Sequence, residues 1–431
     1  MKIAFYLDNG NCEGIDFSRP DLGNPGIGGT QYMIWSLSYY LHNKINDLEI
    51  MVFAQITETL PKEINYKKCI DIYDAARQAK KLKTDIFVFR GPNSNKDFYY
   101  LLDELKLNSI IWAHNYEDIR CLDYASNCKY IKKNICVSRQ QYDALRDHTI
   151  FEKSTYIYNC LDFSIYNRHV IPPGMKKNVI CFMGNLVPNK GFHKVAKLWR
   201  ELSREIEDLQ LYVIGNGLLY NKKNKLGSFN LASAKYEKKF IKYLLNEKNE
   251  IDENVFFWGE MGNEEKLKIM SEAKIAIVNP EGKKETFCLV GVEFQALGVP
   301  VVSIKNYGII DTVDNKYELL SFTTKKMAKN IINIMGNNAL VESASISCSK
   351  YVTTKFNIEK ISQEWVNIFT EIMKNEENEN IIYETNYYLC DLKWLREFNR
   401  RMKNIKLFSW LPSIIWYRSQ LGYIRKMIKK N

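Results

Sequence analysis

Several features that define other protein classes are missing from this chain of 431 residues. No apolar run approaches the ~18 to 20 residues that a helix needs to cross a bilayer. The apolar start is too short for a signal peptide and predicts a first strand. The ten cysteines form no C-x-x-C pair and have no histidines at ligand spacing, which argues against disulfides and structural zinc. We therefore expect a globular protein of the cytoplasm.

Acidic residues are almost absent from the C-terminal end, where the positive charge is concentrated. Residues 393–431 contain eleven Lys or Arg and one acid, Glu397, so they carry 11 − 1 = +10 of the net +11. Two helical patterns with apolar faces fill this tail, which also holds Trp394, Trp410 and Trp416. Basic faces with aromatic residues predict binding to an anionic membrane surface through residues 393–431. The alternative is packing of the tail on the first domain with its charges solvated.

Nucleic acid is the other partner that a basic stripe attracts. No nucleic-acid-binding motif accompanies the basic residues, so we expect no nucleic-acid partner.

Short apolar strands alternate with helical periods along both halves of the chain. Strands are predicted at residues 3–7, 48–53, 86–89, 110–113, 135–137, 179–183, 210–214, 254–258, 275–278 and 299–304. Helices are predicted at residues 31–42, 75–82, 98–105, 195–207 and 358–373. Alternation of this kind predicts α/β domains with doubly wound parallel sheets. Residues 219–250, rich in Lys and Asn, are interpreted as a partly helical insertion of unknown role.

The most informative segment, Glu-Thr-Phe-Cys-Leu-Val-Gly-Val-Glu, begins at Glu285 between a predicted strand and a helix. A helix that starts here leaves the backbone N–H groups of Phe287, Cys288 and Leu289 to face an anion. Glu285 lies at the mouth of the loop, and Glu293 lies about two turns into the helix. Two hydroxyl-accepting carboxylates beside an anion site suit a nucleotide diphosphate sugar. The alternative is two solvated glutamates on a surface helix.

Other loops after predicted strands carry further candidates. Gly28 and Gly29 form a turn before the first helix, where glycines let the backbone approach a phosphate closely. Lys190 adds a full charge at a later helix start, which suits a departing diphosphate. His114 directly follows a strand, so it is expected at the carboxyl edge of the sheet, where ligands bind. The alternatives are an ordinary glycine turn, a solvated lysine and a structural histidine.

Taken in order, these motifs resemble the retaining glycosyltransferases of the GT-B fold, family four, with their E-x7-E motif. The resemblance covers most of residues 2–373 and implies two Rossmann-like doubly wound domains facing a cleft. It places an acceptor-side domain at residues 1–165 and a nucleotide-sugar-binding domain at 166–375. The last helix of the latter, 358–373, would return to the first domain, and residues 376–431 would form a basic helical tail.

The resemblance also implies roles for individual residues. Glu285, Lys190 and His114 are the expected catalytic residues, with Glu285 on the sugar hydroxyls and Lys190 on the departing diphosphate. The expected donor-binding residues are Gly28, Gly29, Asn185, Lys190, Gly259, Phe287, Cys288, Leu289 and Glu293, the last accepting hydrogen bonds from the ribose.

The sequence departs from the family pattern at two places. Asn185 stands where the family has an arginine, which removes one charge from the expected diphosphate site. The Gly-Gly turn that usually follows Pro300 keeps only Gly308. Ser138 and Asn159 match weaker family positions and suit turn formation equally well.

The implied function is transfer of a hexose-like sugar, with retention, from a nucleotide diphosphate sugar to a glycan or lipid-linked glycan. The setting is bacterial-type synthesis of a surface polysaccharide such as lipopolysaccharide or capsule, at the inner face of the plasma membrane. No cofactor and no metal are expected, because helix N-termini and Lys190 can take the place of magnesium. One alternative is a GT-B epimerase or phosphorylase. The other is a non-catalytic sugar-nucleotide-binding module, which is favoured by the presence of Asn185 in place of the family's arginine.

Overall fold

The computed structural model describes residues 1–91, 93–217, 225–282, 284–374, 382–384 and 390–428. The chain forms two compact units. The first unit comprises residues 1–20, 27–160 and 358–431, and the second comprises 21–26 and 161–357. The expected boundary after residue 165 therefore differs from the observed one. The segment expected as a separate tail groups with the first unit, although residues 375–381, 385–389 and 429–431 lie outside the described ranges.

The first unit contains a parallel sheet in the order β3-β2-β1-β4-β5-β6-β7. Its strands are β1 (Lys2–Leu7), β2 (Glu49–Ala54), β3 (Asn65–Lys68), β4 (Ile86–Arg90), β5 (Ser109–Ala113), β6 (Ile131–Cys136) and β7 (Ser154–Tyr156). Its first helices are α1 (Gly29–Lys44), α2 (Ile72–Lys81), α3 (Lys96–Leu105), α4 (Ile119–Asn127) and α5 (Arg139–Asp143). The central strands are buried along their length, as a parallel sheet covered on both faces requires.

The second unit contains a parallel sheet in the order β10-β9-β8-β11-β12-β13. Its strands are β8 (Lys177–Met183), β9 (Gln210–Ile214), β10 (Val255–Gly259), β11 (Ala273–Ile277), β12 (Val301–Ile304) and β13 (Leu320–Ser321). Its helices are α6 (Phe163–Asn167), α7 (Phe192–Glu205), α8 (Ala234–Phe240), α9 (Asn263–Ser271), α10 (Leu289–Ala296), α11 (Ile309–Thr312), α12 (Thr324–Met335) and α13 (Asn338–Lys355). The fold class expected from the sequence, two parallel-sheet α/β domains, is confirmed.

The predicted insertion belongs to the core of the second unit. Tyr236 and Phe240 of α8 are buried in the same apolar cluster as Phe192 of α7, and the rings of Phe192 and Phe240 meet at 5.0 Å. Residues 219–224 of the insertion lie outside the described ranges. The described part is therefore structural.

Three C-terminal helices belong to the first unit: α14 (Ile358–Lys374), α15 (Lys393–Lys403) and α16 (Ile414–Ile428). The ring of Trp365 on α14 lies 4.7 Å from that of Trp112 on β5, and Phe369 lies 6.5 Å from Phe5 on β1. Trp365 and Phe369 are fully buried. The apolar face of α14 therefore closes the core of the first unit, as its helical period predicts.

A buried ionic network attaches α15 to the first unit. Lys393 Nζ lies 2.8 Å from Asp143 Oδ2, and both side chains are fully buried. Arg396 bonds Asp147 at 3.2 Å and the carbonyl oxygen of Ala144 at 2.8 Å. The alternative in which the tail packs on the first domain is thus confirmed for α15, but these charges are paired and buried rather than solvated.

The next helix, α16, differs from α15 in its exposure. Its first residue, Ile414, is buried, and Ile415 packs against the apolar core of the first unit. Every following residue of α16 whose side chain is described is exposed. Across the described part of the chain, no helix combines the length and apolar character needed to span a bilayer.

We predict that Asp143→Asn will strongly destabilise the first unit. Asp143 pairs with Lys393 and also with Arg146, at 2.8 Å. The change removes this charge, so each of the two buried cations loses an anionic partner. Breaking a buried pair costs about 3 to 5 kcal/mol of unfolding free energy, which urea denaturation followed by tryptophan fluorescence measures. Lys68→Ala is the matched control, because its pair with Glu58 is exposed and is worth about 0 to 1 kcal/mol. Equal, small losses in both variants would contradict the role given to the network.

Candidate functional site

The candidate site of the second unit lies where the order of the strands reverses. From β8 the chain proceeds to β9 and β10 on one side of the sheet, and then crosses to β11 on the other side of β8. Ligands of doubly wound sheets bind at such a reversal, outside the carboxyl ends of the strands. The loops that follow the two neighbouring strands lead away from each other there and leave a crevice. The loops after β8 and β11 carry Lys190 and Glu285.

Lys190 and Glu285 form a direct ion pair, with Nζ and Oε2 separated by 2.7 Å. The Nδ2 of Asn279 donates to the same oxygen at 2.5 Å. Asn279 is buried and adopts φ +34, a left-handed conformation that asparagine tolerates better than most residues. The structure therefore brings together Lys190 and Glu285, two of the three expected catalytic residues, and it adds Asn279.

Glycines fix the approach of the surrounding loops. Gly191 has φ +77, and a Cβ there would lie 2.6 Å from the backbone nitrogen of Glu281. Gly308 donates its N–H to the carbonyl of Glu285 at 2.8 Å, and a Cβ on it would collide with the backbone of Thr286. Gly308 is the one glycine that remains of the expected Gly-Gly turn. The loop carrying Glu285 leaves no room for a larger residue at this position.

Asn185 lies in the loop after β8 and is 4% exposed. Neither its side-chain oxygen nor its nitrogen has a hydrogen-bond partner among the described residues. A buried amide without partners costs free energy, so a partner from outside the chain would be favoured here. The expected contact of Asn185 with the donor stays a prediction.

The start of α10 differs in detail from the expected anion site. The N–H of Leu289 donates to the carbonyl of Phe287 at 3.0 Å, inside the turn itself. The ring of Phe287 packs edge-on against Phe356 at 5.2 Å, and Cys288 is buried. Burial, with Glu285 nearby, raises the pKa of the Cys288 thiol to about 12, so the thiol stays neutral. Leu289 is therefore the least suited of the three predicted amides to an incoming anion.

The loops after β9 and β10 lie side by side. The N–H of Gly215 donates to the carbonyl of Gly259 at 2.7 Å, and both glycines have positive φ. A Cβ on Gly215 would lie 2.5 Å from the carbonyl oxygen of Gly184. Gly259, a predicted donor contact, thus lies at the same carboxyl edge of the sheet as Lys190 and Glu285.

The remaining predicted residues belong to the first unit. Gly28 caps α1 with φ −60 and ψ 142, and Gly29 is the first residue of that helix. Neither glycine has a positive φ. His114 follows β5, is buried and lies 4.8 Å from the ring of Trp112. Burial, and secondarily Arg90, lowers the pKa of His114 to about 3. His114 is therefore a neutral imidazole at physiological pH.

The two weaker positions differ in the structure. Ser138 caps α5 by accepting the N–H of Gln141 at 3.2 Å. Asn159 is buried just before the second unit begins. The turn-forming alternative is thus confirmed for Ser138.

Sequence reasoning missed several side chains that surround Glu293. Tyr166, on α6, donates its hydroxyl to Glu293 Oε1 at 3.0 Å. Lys266 on α9 places Nζ 3.4 Å from the same oxygen. Both residues are buried. The signal available in sequence was weak, because neither residue belongs to a motif.

The arrangement as a whole can bind an anion and polar hydroxyls. Lys190 supplies positive charge at the end of β8, while Glu285 and Glu293 supply carboxylates that accept hydrogen bonds from hydroxyl groups. Asn185 supplies both a donor and an acceptor. These are the groups required by a ligand with phosphate and sugar parts.

Comparison with known proteins agrees with this chemistry. Residues 166–347 match the family described as Glycosyl transferases group 1. Over 201 residues the chain is 25% identical to the lipopolysaccharide 1,2-N-acetylglucosaminetransferase of Salmonella typhimurium strain LT2. That alignment covers 46% of this chain and 48% of the relative, so the chain spans about half the length of the curated relative that it matches.

Solved structures share the fold at low sequence identity. Anabaena HepE in complex with UDP has a TM-score of 0.63 and 13% identity, over 86% of this chain and 100% of that protein. Sucrose-phosphate synthase from Thermosynechococcus elongatus has a TM-score of 0.62 and 14% identity, over 87% and 100% of the two chains. A glycosyltransferase from Rickettsia africae has a TM-score of 0.65 and 14% identity, over 87% and 99%. The architecture is that of the GT-B glycosyltransferases, and residues 166–347 carry the match to glycosyl transferases group 1.

Proposed function

We propose that the protein is a retaining glycosyltransferase of family four that transfers a sugar from a UDP-sugar to a glycan or lipid-linked glycan acceptor. The observation that carries the proposal is the Lys190–Glu285 pair at the strand-order reversal, inside the residues that match the family. UDP is chosen because HepE binds it. Because the Salmonella relative is a lipopolysaccharide N-acetylglucosaminetransferase, transfer of N-acetylglucosamine to lipopolysaccharide is the first reaction to test.

The chemistry assigned to the pair follows from charge. When the bond from the anomeric carbon to the diphosphate breaks, its electron pair stays on the diphosphate and the sugar becomes cationic. The acceptor hydroxyl oxygen then bonds to the anomeric carbon on the same face, and its proton passes to the departing diphosphate. Lys190 stabilises the developing negative charge, since an ammonium has three donors and can bond Glu285 and a phosphate oxygen together. Glu285, held by Asn279, accepts hydrogen bonds from sugar hydroxyls.

We propose that this reaction needs no divalent metal. Lys190 provides the cation that magnesium supplies elsewhere, and fixed donors at a helix start add to it. His114 is proposed as a neutral hydrogen-bonding residue for the donor sugar, because burial keeps its imidazole uncharged.

We further propose that α16 attaches the protein to an anionic lipid surface at the inner face of the plasma membrane. Tyr417, Leu421, Ile424 and Ile428 recur at spacings of four, three and four residues, and each is about half exposed or more. After Glu397 the chain has nine Lys or Arg and no acid. An exposed helix with an apolar stripe and basic flanks is the type that lies in a membrane interface.

The function is tested by incubating the protein with UDP-N-acetylglucosamine and UDP-glucose, with and without EDTA, and following UDP release and the anomeric proton by NMR. The expected result is UDP release that survives EDTA, with the anomeric configuration of the donor kept in the product. Conversion of the donor to an epimer without UDP release would favour the epimerase alternative. Absence of binding and turnover with any nucleotide sugar would contradict the proposal.

Lys190→Ala should lower kcat by about 10² to 10³-fold, the loss seen when one donor to a developing anion is removed. Lys177→Ala is the matched control, because Lys177 is also ion-paired, to Glu272 at 2.8 Å, but lies at the opposite end of β8. The control should keep near-normal kcat. If the two variants turn over UDP-sugar equally, Lys190 has no part in leaving-group departure.

Asn185→Ala should weaken UDP binding by about 10- to 100-fold, because a hydrogen bond to a charged group is lost. Its melting temperature should not fall, since the variant removes a buried amide that has no partner within the described residues. Calorimetry and thermal unfolding measure the two effects. A variant that loses stability but keeps its affinity for UDP would show that Asn185 has only a structural role.

The double variant Leu421→Ser, Ile424→Ser should lose sedimentation with vesicles of phosphatidylglycerol and phosphatidylcholine at low salt, while its turnover of soluble substrates is kept. Ile70→Ser is the control, because Ile70 is also an exposed apolar residue and lies outside the tail. Binding should weaken as salt rises, since exposed charges are screened. Unchanged sedimentation of the double variant would rule out α16 as the attachment site.

A further inference from the structure

The carboxylate of Glu293 is held asymmetrically. It lies on α10 and is 2% exposed. Tyr166 and Lys266 both direct their donors to Oε1, at 3.0 and 3.4 Å. Within the described ranges, no residue donates a hydrogen bond to Oε2.

This asymmetry decides which oxygen is available to a ligand. A carboxylate oxygen has two lone pairs, so two donors saturate Oε1. When a buried carboxylate accepts hydrogen bonds on one oxygen only, its second oxygen stays unsatisfied unless a further donor binds. Oε2 therefore has the unused acceptor capacity of this site.

The three residues that form this arrangement come from separate elements with fixed positions. Tyr166 is on α6, Lys266 on α9 and Glu293 on α10. The Nζ of Lys176 donates to the carbonyl of Ser271 at 2.8 Å and to that of Leu297 at 3.2 Å. Lys176 thereby ties the C-terminal ends of α9 and α10 together, which keeps Lys266 and Glu293 in register.

We propose that Tyr166 and Lys266 are positioning residues that present Oε2 of Glu293 to the vicinal hydroxyls of the donor ribose. The inference rests on the proposed function and on the ribose-binding role that the family resemblance implies for Glu293, and it adds how the residue is oriented. Because Oε2 alone offers two lone pairs to the 2′ and 3′ hydroxyls, the site should select ribonucleotides over deoxyribonucleotides. That selectivity should depend on Tyr166 and Lys266, neither of which touches the nucleotide.

The test measures the ratio of the dissociation constants of 2′-deoxy-UDP and UDP by calorimetry. The full-length protein should show a ratio of about 10 or more, since charge-assisted hydrogen bonds are strong. Glu293→Gln should bring the ratio close to 1. Tyr166→Phe and Lys266→Met should each lower it about threefold or more and raise KM for the donor with little effect on kcat, because a carboxylate free to rotate presents Oε2 less often.

Tyr212→Phe is the matched control. It also removes one tyrosine hydroxyl from the second unit, where that hydroxyl lies 3.2 Å from Gln210 at the start of β9. The control should keep the wild-type ratio, so a general loss of packing cannot imitate the expected result.

The outcomes separate the positioning proposal from the proposed function. If the wild type and Glu293→Gln give the same ratio, Glu293 does not bind ribose and the positioning proposal falls with that role. Absence of UDP binding to the wild type would instead contradict the proposed function. If Glu293→Gln lowers the ratio while Tyr166→Phe and Lys266→Met keep it, the function stands and the positioning role is overturned. The positioning role is supported only when the ratio falls in these two variants and not in Tyr212→Phe.

Discussion

The reversal of strand order between β8 and β11 is the constraint on which the candidate site depends. A parallel sheet ends all its strands at one edge, and the reversal makes two neighbouring loops diverge there. Lys190 and Glu285 are 95 residues apart in sequence, yet their side chains meet because these two loops flank the same point. The position of the candidate site at this edge therefore follows from the strand order of the sheet.

The loops at that edge are shaped by close backbone approaches. Gly191, Gly215 and Gly308 each leave no room for a Cβ, and each faces backbone atoms rather than a flexible side chain. Backbone cannot move aside as a side-chain tip can, so the three loops hold one another in place. This mutual contact gives Glu285 and Lys190 a defined separation before any ligand arrives, which is what pre-organised electrostatic stabilisation requires.

Much of this could be predicted from local sequence patterns, because strands, helix starts and glycine turns are local. The strands that became β1, β8, β9 and β11 were predicted close to their observed bounds. The polar edge strand β3 was missed, since it lacks the apolar pattern of a buried strand. The bond from Tyr166 to Glu293 spans 127 residues, and the pairing of Arg396 with Asp147 spans 249. No local pattern encodes such pairs, which follow only from the tertiary fold.

The buried network around α15 has a consequence for the order of folding. The first unit is built from both ends of the described chain, with the second unit between them. Asp143 and Asp147 are synthesised early, but their partners Lys393 and Arg396 leave the ribosome only after the whole second unit. Domains normally fold as they emerge, whereas here Asp147 lacks Arg396 and Asp143 lacks Lys393, although it can pair with Arg146, until synthesis has passed residue 396. The first unit therefore cannot be completed before the second unit has been synthesised, and the second unit, although encoded later, is the first that can finish folding.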